Sequence, residues 1–244
     1  MLRILTLFSM ILVGSQVKAV ELDAPFASID GGTLAAFVGA LFAISIVYGI
    51  SRFRRGFSTE TLLLTGVAVS FFFSSLILFT QYLSNMTDSF RILRWLMGGL
   101  TIVAYDDILQ LAPFVGITVA VILWLSRELN LLLAGDELAL SRGVSVNTIR
   151  YILFVTTSLC VGAIVALCGP IGFVGMMVPH MCRLLIGNDH RWLIPATLLF
   201  GGAFLIVCDT IARLIIAPAE IPVGVITTLL GGPFFLWLLI KLRE

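Results

Sequence analysis

Six stretches of this chain contain no aspartate, glutamate, lysine or arginine: Thr33–Ile50, Thr61–Thr87, Ile108–Ser126, Tyr151–Cys182, Trp192–Cys208 and Ile221–Ile240. No other feature constrains the fold as strongly. A helix needs about 20 predominantly apolar residues to cross the hydrocarbon core of a bilayer. Backbone groups there must bond within the segment, so apolar runs of this kind read as helices rather than strands. Tyr151–Cys182 is too long for one span, and Gly169-Pro170 divides it into two. The expectation is an all-α fold, a polytopic transmembrane helical bundle. Only 12% of the residues are charged, against about 25% in soluble domains. The mean hydropathy is +1.11. Residues 33–244 read as a single membrane domain. Residues 1–32 read either as a shortened first span or as a signal-like segment cleaved near Ala19. The spans number seven on the second reading and eight on the first.

The net charge of +1 says nothing about a partner, but its distribution sets an orientation. Arg52, Arg54 and Arg55 follow the first clear span. Arg127, Arg142 and Arg150 lie between the third and fourth, Arg191 precedes the sixth, and Lys241 and Arg243 follow the last. Placing these in the cytoplasm obeys the positive-inside rule and puts the carboxyl end there too. The opposite face holds Arg91, Arg94 and Arg213, with Lys18 near the amino end. Cys160, Cys168, Cys182 and Cys208 lie in or beside apolar runs without metal-ligand spacing, and read as buried small hydrophobes.

Two connections stand out. Asn85–Asp107, on the outer side, mixes apolar residues with Arg91 and Arg94. It reads either as a short interfacial helix anchored by Trp95 or as a loop packed on the bundle. On the inner side, within 129–147, Gly135 and Gly143 bracket a segment of about two helical turns. Asp136 and Glu137 fall in its first turn and Arg142 in its last, matching the helix dipole. Asn147 is placed to cap the next span.

The chemistry of an autonomous pump is missing. There is no Gly-x4-Gly-Lys-Ser/Thr phosphate loop, and neither Lys18 nor Lys241 follows one. His180 and His190 have no suitably spaced carboxylate partner for a metal site. Asp209 and Arg213 are four apart near the outer end of one span, where they can pair. The other spans are almost free of the ionisable groups that ion-coupled carriers place in the membrane. No catalytic residue, metal site or bound cofactor is expected in this chain. Gly66, Ser70 and Ser74 recur every four residues and make one small stripe, which suits either a pathway or close helix packing. Thr227, Thr228 and Gly231 are the small or polar residues of the last span, and Gly231-Gly232-Pro233 is expected to bend or loosen it.

Several blocks, in order, carry a resemblance. They are Gly169-Pro-Ile-Gly172-Phe-Val-Gly175-Met-Met-Val-Pro179-His180-Met-Cys-Arg183, running on through Gly187-Asn-Asp189-His190-Arg191; Asp209-Thr-Ile-Ala-Arg213; Glu220-Ile-Pro222-Val-Gly224; and Thr227-Thr-Leu-Leu-Gly231-Gly-Pro233. Gly135-Asp-Glu137-Leu-Ala139, running on to Gly143, Leu62-Leu-Leu-Thr-Gly66, and Trp95-Leu-Met-Gly98-Gly also fit. Together these closely resemble the FecCD family, the permeases of binding-protein-dependent ABC importers for iron siderophores, haem and vitamin B12. The resemblance covers about residues 33–244. It implies a fold like that of the vitamin B12 importer permease. Members of the family normally have ten spans, and by that comparison this chain lacks the first two or three. That leaves a shortened functional variant, a wrong gene start or a remnant.

The resemblance implies a bacterial inner-membrane permease for an iron-siderophore or related metal chelate, with haem and cobalamin as alternatives. ATP would be bound by a separate ATP-binding cassette subunit. The other implied partners are a periplasmic or lipid-anchored solute-binding protein, a second permease copy (as homodimer or heterodimer) and membrane lipid. Nucleic acid is not among them. Asp136, Glu137, Ala139 and Gly143 would dock on the ATPase, with Asp189, His190 and Arg191 supporting that contact or merely capping their own turn. Arg213, with Arg91 and Arg94, would receive the binding protein, or Arg213 would pair with Asp209. A stand-alone secondary carrier and a non-transporting remnant are the other classes left open.

Overall fold

The computed structural model describes residues 31–53, 59–100, 105–216 and 219–241. The signal-or-span reading of residues 1–32 falls almost wholly outside them, as do Lys18, Arg54, Arg55 and Arg243. The described residues form ten helices and no strand. They are α1 (Gly31–Phe53), α2 (Thr59–Leu83), α3 (Met86–Leu96), α4 (Tyr105–Trp124), α5 (Ser126–Leu133), α6 (Asp136–Ser141), α7 (Val146–Cys168), α8 (Val174–Ile186), α9 (His190–Leu214) and α10 (Val223–Lys241).

Every charge-free run is mainly helical. Among the described residues, four helices are long and apolar enough to cross a membrane, over Leu63–Leu83, Tyr105–Trp124, Val146–Cys168 and His190–Leu214. Three apolar helices are shorter: Ala36–Ile50, Val174–Ile186 and Val223–Leu238. The division at Gly169-Pro170 is real, but it takes more chain than a simple turn. Gly169 (φ 68°) and Phe173 (φ 65°) both lie in the left-handed region. The five residues they bound are non-helical and leave α8 only 13 residues, about 20 Å at 1.5 Å per residue. That is well short of a 30 Å hydrocarbon core. Hydroxyls on the apolar helices bond back to their own helix, as Ser75 does to the Phe71 carbonyl and Thr157 to that of Leu153. This satisfies a polar group that lipid cannot.

The helices gather into two groups. One holds α1, α2, α3 as far as Leu93, α4 as far as Val115, and α7 from Arg150 to Leu167. Its packing uses small residues and rings. A Cβ on Gly162 of α7 would stand 3.1 Å from Ala40 of α1. Phe37 and Phe114 meet edge to face at 5.5 Å, and Tyr48 lies 5.2 Å from Tyr151. The connection after α2 is indeed a helix, α3. It is fastened by the Ser89 hydroxyl, which donates to the Gln81 carbonyl at 3.2 Å. It buries only Ile92 and leaves Met86, Phe90, Leu93 and Trp95 exposed.

The other group holds 94–100, α4 from Gly116, α5, α6, the first turn of α7 and all that is described from Cys168 onward. Here α8 and α9 pack antiparallel through Val178, Cys182 and Leu193, with Ala196 and Phe200 against them. Cys208 and Ala212 of α9 pack on Val223 and Ile226 of α10. All four cysteines are buried and none forms a disulfide, as the sequence suggested. Where these helices begin and end, three glycines let three backbones cross. The Gly99 N–H donates to the Cys168 carbonyl at 2.8 Å, and the Gly224 N–H to that of Gly98 at 3.2 Å. The broken helix end is thus satisfied by protein rather than water.

Candidate functional site

The inner connection folds as a hairpin of two short helices. After α5, the N–H groups of Ala134 and Gly135 donate to Leu131 and Leu132, and Gly135 turns the chain at φ 118°. The helix that follows, α6, has six residues with Asp136 and Glu137 in its first turn. It is shorter than the sequence implied, because Arg142 occupies the C-cap rather than the last turn. Gly143 sits at φ 80°. Its N–H donates to Leu140 at 3.0 Å, and that of Val144 reaches back to Ala139 at 3.0 Å. This pair of bonds is a Schellman stop, which places Gly143 at the left-handed position where a Cβ is penalised. The next helix begins at Val146, so Asn147 lies inside its first turn and does not cap it. Ser145 holds the preceding position, and its carbonyl accepts the Ile149 N–H at 3.1 Å. Buried Val146 and Ile149 set that start.

One residue of α6 turns inward. Ala139 is fully buried, whereas Asp136, Glu137, Leu138, Leu140 and Ser141 are exposed. At 100° per residue Glu137 and Ser141 centre the outward face, flanked by Leu138 and Leu140. The role of Gly143 can be separated from close approach. A Cβ there meets nothing within 4 Å. Gly143→Ala is therefore expected to cost about 1–2 kcal/mol through its backbone alone. Gly143→Asn should recover most of that, since Asn tolerates the left-handed region. Thermal unfolding of the purified chain compares the two.

Asp189, His190 and Arg191 meet a residue that spacing did not flag. The side-chain amide of Asn130, on α5, donates to Asp189 Oδ1 at 2.6 Å. Its oxygen accepts the His190 N–H at 2.9 Å and lies 2.7 Å from His190 Nδ1. Asp189 is the N-cap of α9, and its Oδ1 also accepts the Arg191 N–H at 3.1 Å. That N–H, with the Asn130 amide, holds the Asp189 carboxyl below its ordinary value of 3.8. A depressed carboxylate stabilises above its ordinary value and loses that contribution as pH falls through the lowered one. The link therefore keeps its charge across the neutral range. Asn130 was legible only as a lone amide in a leucine-rich stretch.

Arg213 is paired, as its spacing from Asp209 suggested. Its Nε donates to Asp209 Oδ2 at 2.8 Å, and Nη1 lies 3.6 Å from Glu220. Arg91 has a looser partner in Asp88, at 4.0 Å. Arg94 is exposed. On α2 the packed residues include Thr65, Val69 and Phe73, whereas Ser70 and Ser74 are exposed and Gly66 has no neighbour within 4 Å of a Cβ. That small stripe therefore makes no close helix contact among the described residues. On α10 Thr227 is fully buried and donates to the Gly224 carbonyl at 3.1 Å. Thr228 is exposed and donates to the same carbonyl at 2.7 Å. Gly231 forms a notch filled by the Phe173 side chain, and α10 continues as a helix through Pro233. His180 packs edge-on against Phe234, and its Nε2 is buried. No cluster of three His, Cys, Asp or Glu residues that could hold a metal occurs among the described residues.

The model of the FecCD transport family matches residues 3–241. The chain belongs to the FecCD transport family. Similar curated members include the hemin transport system permease protein HmuU of Yersinia pestis, 38% identical over 90% of this chain and 66% of its own. The cobalamin import system permease protein BtuC of Halobacterium salinarum is 42% identical over 93% of this chain and 61% of its own. The Fe(3+)-citrate import system permease protein YfmD of Bacillus subtilis is 38% identical over 86% and 62%. The chain thus spans less than two thirds of the length of these FecCD relatives. A solved metal-chelate type ABC transporter in an inward-facing conformation superposes with a TM-score of 0.81 and 29% identity, over 98% of this chain and 75% of its own.

Proposed function

We propose that the chain is the membrane permease subunit of an ATP-driven importer for a metal chelate, with an iron-siderophore as the expected cargo and haem or cobalamin as close chemical alternatives. The observation that carries this reading is α6. It is a short helix whose one buried residue is Ala139, presenting an acidic centre with two leucine flanks. Exposed apolar residues grouped on one short element mark an interaction surface. A separate ATP-binding cassette subunit would bind the ATP and seat this face. Family membership supports that assignment, and so does the absence of a phosphate loop from the sequence. The positive-inside pattern supports a cytoplasmic hairpin and carboxyl end, and a bacterial inner membrane is the expected location.

At the other end of α9, Arg213 would receive an acidic residue of a periplasmic or lipid-anchored binding protein, with Arg91 and Arg94 adding to the field. Asp209 and Glu220 hold the guanidinium in place meanwhile. The open stripe of Gly66, Ser70 and Ser74 is left for the pathway or a second permease copy, while Thr227 and Gly231 support α10 from within and Thr228 can line the pathway. The test is uptake into proteoliposomes carrying the chain with an ATP-binding cassette subunit and a binding protein, using ferric siderophore, haem and cobalamin in turn. Uptake that needs both ATP and binding protein is the expected result, and ATP-independent uptake would reject it. In that assay Arg213→Gln should slow binding-protein association roughly tenfold and flatten its salt dependence.

A further inference from the structure

We propose that Asn130 is a positioning residue that locks the α5–α6 hairpin to the first turn of α9, so that displacement of α6 is delivered to that helix. The proposal rests on the permease reading above. Its geometry is independent of it.

Both ends of the Asn130 amide are used. The nitrogen faces a carboxylate at 2.6 Å, and the oxygen faces the His190 N–H at 2.9 Å and Nδ1 at 2.7 Å. Only this orientation pairs donor with acceptor at every contact, provided Nδ1 carries the imidazole proton. The His190 N–H is one of the first-turn donors that a helix cannot satisfy itself. Asp189 caps the neighbouring donor, that of Arg191. The start of α9 is therefore capped twice, once by its own N-cap and once by a residue 60 positions away.

Asn130 stands in the middle of α5, which packs on both α6 and α9. The turn from α5 into α6 is closed by backbone bonds, so the hairpin can move as one piece. From His190 to Leu214, α9 has 25 residues, about 37 Å of helix. Its far end carries Asp209 and Arg213. The lock thus ties the hairpin to the helix whose other end holds the outer ion pair. The residues offered to an ATPase, Glu137, Leu138 and Leu140, are not part of it.

The test uses the whole chain assembled with an ATP-binding cassette subunit and a binding protein. Asn130→Ala should leave subunit association and basal ATP hydrolysis unchanged, but lower cargo moved per ATP about tenfold. Asn130→Asp sets two carboxylates against each other and should do the same. The exchange Asn130→Asp with Asp189→Asn restores a donor facing an acceptor and keeps an oxygen for the His190 N–H, but it gives up the cap on Arg191, because Asp189 Oδ1 makes both contacts. It should recover most of the lost ratio. A parental ratio in Asn130→Ala, or no recovery in an exchange variant that still folds and associates, overturns the lock. Amide hydrogen exchange on the isolated chain asks the same question without the ATPase. Faster exchange in both 136–141 and 190–193 for Asn130→Ala, reversed in 136–141 by the exchange variant, is expected. Unchanged exchange in both segments overturns the lock. Failure of ATP-driven uptake in the parent, with this exchange pattern intact, would reject the permease reading alone.

Discussion

Gly98→Ala is expected to remove most of the folded protein. Gly98 lies at φ 66°, where a Cβ costs about 1–2 kcal/mol in any surroundings. The added carbon would also collide with the Pro170 carbonyl oxygen and stand 2.9 Å from its carbon and 3.3 Å from Ile171 Cγ1. A side chain can swing away from such a clash, but a backbone carbonyl held in a crossing cannot. Its neighbours cannot yield either. A Cβ on Gly169 would strike the Trp95 carbonyl, and one on Gly224 that of Met97. The three glycines are one device, and moving any of the three segments breaks the bond from Gly99 to Cys168, that from Gly224 to Gly98, or both. Combined strain and lost bonds put the cost above about 4 kcal/mol, in the range of the most damaging single changes. Yield after detergent extraction and thermal unfolding of what remains measure it. Gly202→Ala is the control, because a Cβ there meets nothing within 4 Å and alanine favours a helix. Equal stability of the two variants would refute the crossing as a fixed element.

That crossing also shows where the sequence was legible. Apolar runs reported all seven apolar helices, because the membrane penalises charge at every position of a span and so repeats its signal along the chain. Gly169-Pro170 was readable as a break because both residues act locally. Phe173 was not, since nothing about a phenylalanine announces φ 65°. Its conformation follows from the Gly231 notch that receives its ring, on another helix. Asn130 is the same case in polar form: its partners are 59 and 60 residues distant. No periodicity carries such pairings, and only the fold brings them together. Asn147 failed as a cap for a related reason. The burial of Val146 and Ile149 starts the helix earlier than the side-chain chemistry of Asn147 suggests. Asp209 and Arg213, by contrast, share one helix at the spacing that pairs side chains, and their bond was predictable.

The face of α6 carries the other large expectation. Leu138 and Leu140 are 46% and 59% exposed, on a helix whose one buried residue is Ala139. Replacing both with aspartate should leave the fold intact, because neither side chain is buried in the chain's own core. It should abolish association with an ATP-binding cassette subunit. Burying a leucine from full exposure contributes about 1.5–3 kcal/mol, and each of these has about half its surface left to bury. Losing two from one contact therefore weakens binding by roughly one to two powers of ten, and the cost of burying two carboxylates adds to that. Deleting 137–143 is a poorer experiment. It would also remove the Schellman stop at Gly143 and disturb α5 through the turn at Gly135. The double substitution leaves both, along with the Asn130 link. Co-purification of the coexpressed ATPase subunit reads the outcome, and circular dichroism with size-exclusion profiles checks the fold. Undiminished co-purification would show that the ATPase seats elsewhere. Loss of the ATPase from a well-folded variant would tie the docking energy to this face. The same assay with Asn130→Ala should then retain the subunit, which separates holding the ATPase from transmitting its motion.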